Sequence, residues 1–145
     1  MSRNLRARLA LTYADTARLE ELMNRFLERA LVVVYPEDAA VAAGVEMDAA
    51  DRHVLAAALS ADADILLTDN TRHFPRVWMA EHGIEVVGAG DLLVRLAEQY
   101  PEQVRAAHMR TLLGSPKTEV GVLDTLRRAA GTKAYDAVSH LSLSS

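Results

Sequence analysis

Apolar positions along the chain change their spacing several times, and each change marks an element. Leu5 and Leu9 open a helical stripe. After a break near Asp15, the stripe resumes at Leu19, Leu22, Met23, Phe26 and Leu27, with the helical period of about 3.6 residues. Residues 31–35, LVVVY, are rich in β-branched side chains and end at Pro36, which predicts a short strand. Residues 36–50 are mostly small or acidic and read as a loop. DRHVLAAALS then presents Val54, Leu55, Ala58 and Leu59 on one helix face, with Asp48 or Asp51 near its start. ADILLT is too short for a helix and suits a buried parallel strand. DNTRHFP reads as a loop, Pro75 opens a short helix through Trp78 to His82, and Gly83 stops it. IEVV at 84–87 reads as another strand.

Strand, helix, strand, helix, strand in that order predicts an α/β fold with a parallel sheet flanked by helices. Beyond Gly90 the pattern is helical throughout. Asp91 is a candidate cap for a helix carrying Leu92, Leu93, Leu96 and Tyr100. Pro101 starts a second helix with Val104, His108 and Leu112, broken by GSP at 114–116. Thr118 and Thr132 start two more, the first ending at Gly131, and the final serine-rich residues are expected to fray. The expected organisation is an α/β domain over 1–90 and a helical appendage over 91–145.

Composition narrows the chemistry. The 145 residues suffice for one core, and 50% hydrophobic with 25% charged residues describes a globular chain. A net charge of −4 argues against a general nucleic-acid coat, so RNA binding requires a local basic patch or a bound metal. The absence of cysteine removes disulfides, zinc–thiolate sites and thiol nucleophiles, and is compatible with a reducing cytoplasm. No apolar run approaches ~20 residues, so no membrane span is expected, and the opening MSRNLRARLALTY lacks a signal-peptide core.

Carboxylates carry the most informative pattern. Asp69 directly follows the strand ILLT, at the carboxyl end where ligands of open α/β sheets bind. Asp48 and Asp51 precede a helix, so spacing alone does not bring Asp51 to Asp69. One reading is a magnesium or manganese site, since hard cations take oxygen ligands and activate water for phosphodiester cleavage. The competing reading makes Asp48 and Asp51 helix caps and Asp69 a turn former. His53 and His73 lack a metal-binding spacing such as HExxH, no GxSxG elbow or phosphate loop occurs, and GAGD at 88–91 reads as a turn and cap. Arg52, Arg72 and Arg76 are candidate phosphate contacts, whereas Arg3, Arg6 and Arg8 read as solvated surface.

The stretch DRHVLAAALSADADILLTDNTRHFP resembles the later half of a PIN domain, in the branch of VapC-type toxin ribonucleases. Its ordered pieces are the acid before RHVLAAA, an apolar strand, T-x-N and a following Phe-Pro. The likeness extends from Arg3-Asn4-Leu5 through LEELMNRF to the helical tail at Val122–Leu126. It implies a PIN-like fold incomplete at its N-terminus, because the family's opening strand and first acids have no counterpart here. It further implies a metal-dependent endoribonuclease using Mg2+ or Mn2+, the toxin of a type II toxin–antitoxin pair, with activity expected to be impaired in this chain by the missing opening segment. RNA would be its substrate and a cognate antitoxin its partner, with a homo-oligomer also possible. Asp51 matches the acid before the helix, Asn70 matches the polar residue of T-x-N, and the adjacent Asp69 is a further carboxylate ligand. The expected site is therefore Asp51, Asp69 and Asn70 on the metal, with Arg52 and Arg72 on the RNA. His73 stands where the family often has Asp, and a neutral ring supplies no anionic oxygen. The alternative implied by these departures is an inactive remnant that binds an antitoxin or another protein.

Overall fold

The computed structural model describes residues 13–28 and 30–143, and they fall into two compact units. The expectations for Leu5, Leu9, Arg3, Arg6 and Arg8 lie outside the described residues. Among the described residues, no helix is long and apolar enough to cross a membrane.

The first unit takes in the chain up to Val45 together with Ala49–Asp62. It contains α1 (Tyr13–Phe26), α2 (Pro36–Ala43) and α3 (Arg52–Ser60). α1 runs unbroken through Asp15, where the apolar spacing suggested a break. Its stripe positions Leu22, Met23 and Phe26 are exposed, Phe26 at 79%. Residues 31–35 form no strand: Leu31–Val34 make no backbone hydrogen bond with another described residue, and all five side chains are exposed. β-Branched side chains favour an extended backbone, but a strand also needs a partner edge.

The expected loop at 36–50 instead begins with α2. Pro36 occupies its first turn, with its ring already set to a helical φ, and Glu37 and Asp38 add acids where the helix dipole favours them. Alanines, the best helix formers, fill most of what remains. α2 and α3 pack together through small buried residues, Ala42 on one and Ala56 and Ala58 on the other. Ser60 fastens the pair. Its Oγ donates to Asp38 Oδ2 at 2.7 Å and accepts from the Tyr35 backbone N–H at 3.0 Å.

The second unit holds Glu46–Asp48 and Ala63–Ser145. Its framework is a β-α-β unit: β1 (Ile65–Leu67), a 3-10 turn at Thr71–His73, α4 (Arg76–Glu81) and β2 (Glu85–Val87). The strands are parallel, in register Ile65 to Glu85, Leu66 to Val86 and Leu67 to Val87. Among the described residues the sheet has these two strands, rather than the three expected. β1 was expected to be buried on both faces, but only Leu66 is buried, while Ile65 and Leu67 remain exposed. A second layer on that face would be needed to bury them. Pro75 is the cap of α4 rather than part of it, and Gly83 follows the helix with φ +73°, a backbone that favours glycine.

Four helices complete the unit: α5 (Ala89–Gln99), α6 (Pro101–Gly114), α7 (Glu119–Ala130) and α8 (Thr132–Leu143). α5 starts earlier than expected, with Gly88 as its cap and Asp91 inside its first turn. Arg95 of α5 holds Glu85 of β2 by a two-pronged contact of 2.9 and 2.7 Å, and keeps that carboxyl below its ordinary range. Thr118 caps α7 as expected, accepting from the Gly121 N–H at 3.4 Å. α8 packs against α5, α6 and α7, and Ala97, Leu123, Ala134 and Val138 are buried among these helices. Arg105 of α6 donates to the Leu141 carbonyl at 3.0 Å, satisfying one of the acceptors left free near the end of α8.

Glu119 ties three helices. His108 of α6, which is buried, has Nε2 3.1 Å from Glu119 Oε1, and Ser142 of α8 donates to the same carboxylate. A carboxylate only accepts, so Nε2 carries the proton. These bonds, that of Ser142 foremost and then that of His108, hold the Glu119 carboxyl below its ordinary value. The contact therefore adds stability above the unfolded-state value and loses it as the pH falls through the lower folded-state value. Glu119→Gln is expected to lower the melting temperature near neutral pH, and the gap from the native chain should close as the pH falls through and below the ordinary carboxylate range. A gap that stays constant across that range would contradict the assignment.

Gly90 gives a second check. A Cβ built there would come within 2.3 Å of the Ala130 carbonyl oxygen, whereas Gly114 has nothing within 4 Å. Gly90→Ala should cost about 1–3 kcal/mol in denaturant unfolding. Gly114→Ala should be neutral or stabilise by about 0.4–1 kcal/mol.

Candidate functional site

Parallel pairing puts the carboxyl ends of β1 and β2 on one edge of the second unit. The ladder is extended there by the Thr68 N–H, which donates to the Val87 carbonyl at 3.0 Å. The chain then turns. Thr68 Oγ1 accepts from the Asn70 N–H at 3.1 Å, and the Asn70 carbonyl accepts from the His73 N–H at 3.0 Å. Asp69 stands at the first residue of this turn and is exposed. Its companions on the edge come directly after β2, because Gly88 caps α5 one residue past the strand end.

A cavity of about 350 Å3 opens at this edge. Asp69, Thr71 and Arg76 line it from the β1 side, Gly88–Asp91 from the start of α5, and Gly131–Lys133 from the start of α8. Glycine at 90 lets the first turn of α5 lie against the end of α7, so the α5 and α8 starts share one wall. Lys133 Nζ stands 3.5 Å from Asp91 Oδ1. Arg76 is exposed and has no ion pair with a described residue. The cavity thus combines two carboxylates with two cationic side chains.

Of the residues expected from sequence, Asp69 and the candidate phosphate contact Arg76 are in this cavity's lining, and Asn70 and Arg72 are not. Asn70 shapes the turn with its backbone, and Arg72 is exposed on the 3-10 turn. Asp51, Arg52 and His53 belong to the first unit, and Asp48 to the second. Asp51 occupies the cap position of α3 without the side-chain capping bond expected there. Arg52 Nη2 donates to the Val45 carbonyl at 3.2 Å, which ties the start of α3 to the end of the preceding segment. His73 is exposed on the 3-10 turn.

Sequence reading missed Asp91 and Lys133 as site residues. The signal for Asp91 was available: GAGD follows a parallel strand, and the carboxyl ends of neighbouring parallel strands share an edge. Lys133 gave no comparable signal, because only tertiary packing brings α8 to this edge.

Among the described residues, no group of three or more His, Cys, Asp or Glu is arranged to hold a metal. Hard divalent cations require less. Magnesium is often held by one or two carboxylates, with water and substrate phosphate completing its shell. The oxygen donors of Asp69 and Asp91 on an open cavity fit that chemistry, with Asp91 shared with Lys133. If these carboxylates bind a hard cation, Mn2+ titrated into the protein should selectively broaden the amide resonances around Asp69 and Asp91, and Asp69→Asn should weaken that effect. Broadening spread evenly over the surface carboxylates would contradict a localised site.

A curated protein of Mycobacterium tuberculosis, named "Putative ribonuclease VapC50", is 32% identical to this chain over 79 residues. The match covers 52% of this chain and 47% of that protein, so this chain spans about half the length of the relative it matches. No family model matches the chain. No solved structure matches it either.

Proposed function

We propose that this chain is a divalent-metal-dependent endoribonuclease of the PIN type, the toxin of a toxin–antitoxin pair, with RNA as substrate and an antitoxin protein as partner. One observation carries the reading: in a chain similar to a named ribonuclease, Asp69 lines a cavity at the carboxyl edge of a parallel strand pair, beside exposed cationic side chains. Asp69 would hold Mg2+ or Mn2+, with Asp51 and Asn70 as further ligands on the strength of the PIN resemblance. The bound metal supplies water activation and charge neutralisation for phosphodiester hydrolysis. The chain's own contribution is orientation. Arg76, whose guanidinium pairs with no carboxylate among the described residues, suits a phosphate oxygen, and Arg72 and Arg52 are proposed as further RNA contacts. Lys133 holds Asp91 and adds positive charge to the same cavity.

The test is cleavage of a mixed-sequence RNA by the purified chain with Mg2+ or Mn2+. Cleavage should disappear with a chelator, and fall by about 100-fold or more in Asp69→Asn and in Asp51→Asn. Folded protein that leaves RNA intact, or cleavage indifferent to both substitutions, would overturn the reading.

A second reading is a catalytically inactive remnant that binds a protein partner. The exposed run Leu31–Tyr35 favours it, because four of its residues make no backbone bond to another described residue and so suit strand addition. Folded chain without nuclease activity, in which Val33→Lys abolishes binding to a co-purifying antitoxin, would select this reading.

A further inference from the structure

We propose that the helical part of the second unit binds a free amphipathic monocarboxylate, a saturated fatty acid of medium chain length. The site is a groove between α5, α6, α7 and α8 with a volume of about 740 Å3, within the ~300–1,000 Å3 usual for small-ligand pockets. Leu93, Leu96, Val104, Val122, Leu126 and Val138 supply most of an apolar lining. Among the described residues, no carboxylate lines it. His108, the other titratable nitrogen in the lining, is committed to Glu119.

One full charge remains. Lys117 lines the groove from its solvent side and donates from Nζ to Thr125 Oγ1 at 2.9 Å. Thr125 in turn donates to the Gly121 carbonyl at 2.9 Å, so its lone pairs face the lysine and fix the ammonium. Lys117 has no ion pair with any described residue, whereas the chain's other lysine, Lys133, is paired with Asp91. A single held cation beside a predominantly apolar surface, whose other polar side chains are uncharged or committed elsewhere, matches a ligand with one anionic head and an alkyl body.

The test is isothermal titration calorimetry of the full chain with sodium octanoate, decanoate and dodecanoate below their micelle concentrations. Saturable binding at one site is expected, tightening by about fourfold per added CH2. Dodecanol should bind about tenfold more weakly than dodecanoate. Lys117→Ala should cost dodecanoate about tenfold and leave dodecanol unchanged, while Lys117→Arg should restore the acid. Ala107→Trp, at an exposed position on the groove wall, should block both ligands without unfolding the chain, as circular dichroism would report. Four outcomes would each overturn the proposal: no saturable uptake by folded protein, equal affinity of Lys117→Ala for the acid, a signal only with phosphatidylglycerol vesicles, or dimers that Ala107→Trp dissociates and dodecanoate does not. RNA cleavage is not a readout here, so the proposal stands or falls independently of the nuclease reading.

Discussion

Parallel hydrogen bonding between β1 and β2 is the constraint on which the candidate site depends. An antiparallel pair would put the end of one strand beside the start of the other. A parallel pair makes both strands finish on the same edge, so the segments leaving them meet there. Here those segments are the Thr68–Asn70 turn and the start of α5. The crossover this requires is supplied by the 3-10 turn and α4, and Gly83 ends that helix in time for β2 to begin. Without the shared edge, Asp69 would be an ordinary exposed turn residue.

Much of this unit is legible in the sequence because its signals are local. ILL and EVV are short apolar runs between polar flanks, Pro101 and Thr118 mark helix starts, and Gly83 and Gly131 mark stops that need positive φ. The first unit is harder. The run at 31–35 carries β-branched side chains, yet its pairing depends on a partner edge that no local pattern encodes. PEDAAVAA suggests a loop by its small residues and acids, although proline in the first turn, early acids and alanines together describe a helix. Asp91 misleads in a similar way. Its position suggests the cap of α5, whereas Gly88 holds that place and leaves the carboxylate on the cavity.

The candidate site is legible only in part, for a physical reason. Asp69 can be found because a strand's carboxyl end is a local feature. Lys133 cannot, since it depends on α8 packing back across α5, and that packing rests on small buried side chains such as Ala97 and Ala134. Resemblance to the PIN pattern reaches Asp51 and Asn70 by motif, and the side-chain roles proposed for them rest on that likeness rather than on spacing.

The contribution of α8 to the strand-end cavity has a consequence for biosynthesis. A ribosome releases the chain from its amino end, so Asp69 emerges dozens of residues before Gly131–Lys133 exist to close the wall beside it. The nascent polypeptide therefore carries the carboxylate without the finished cleft. Translation must run past Lys133 before that cleft is assembled, and a product terminated earlier would be born without it.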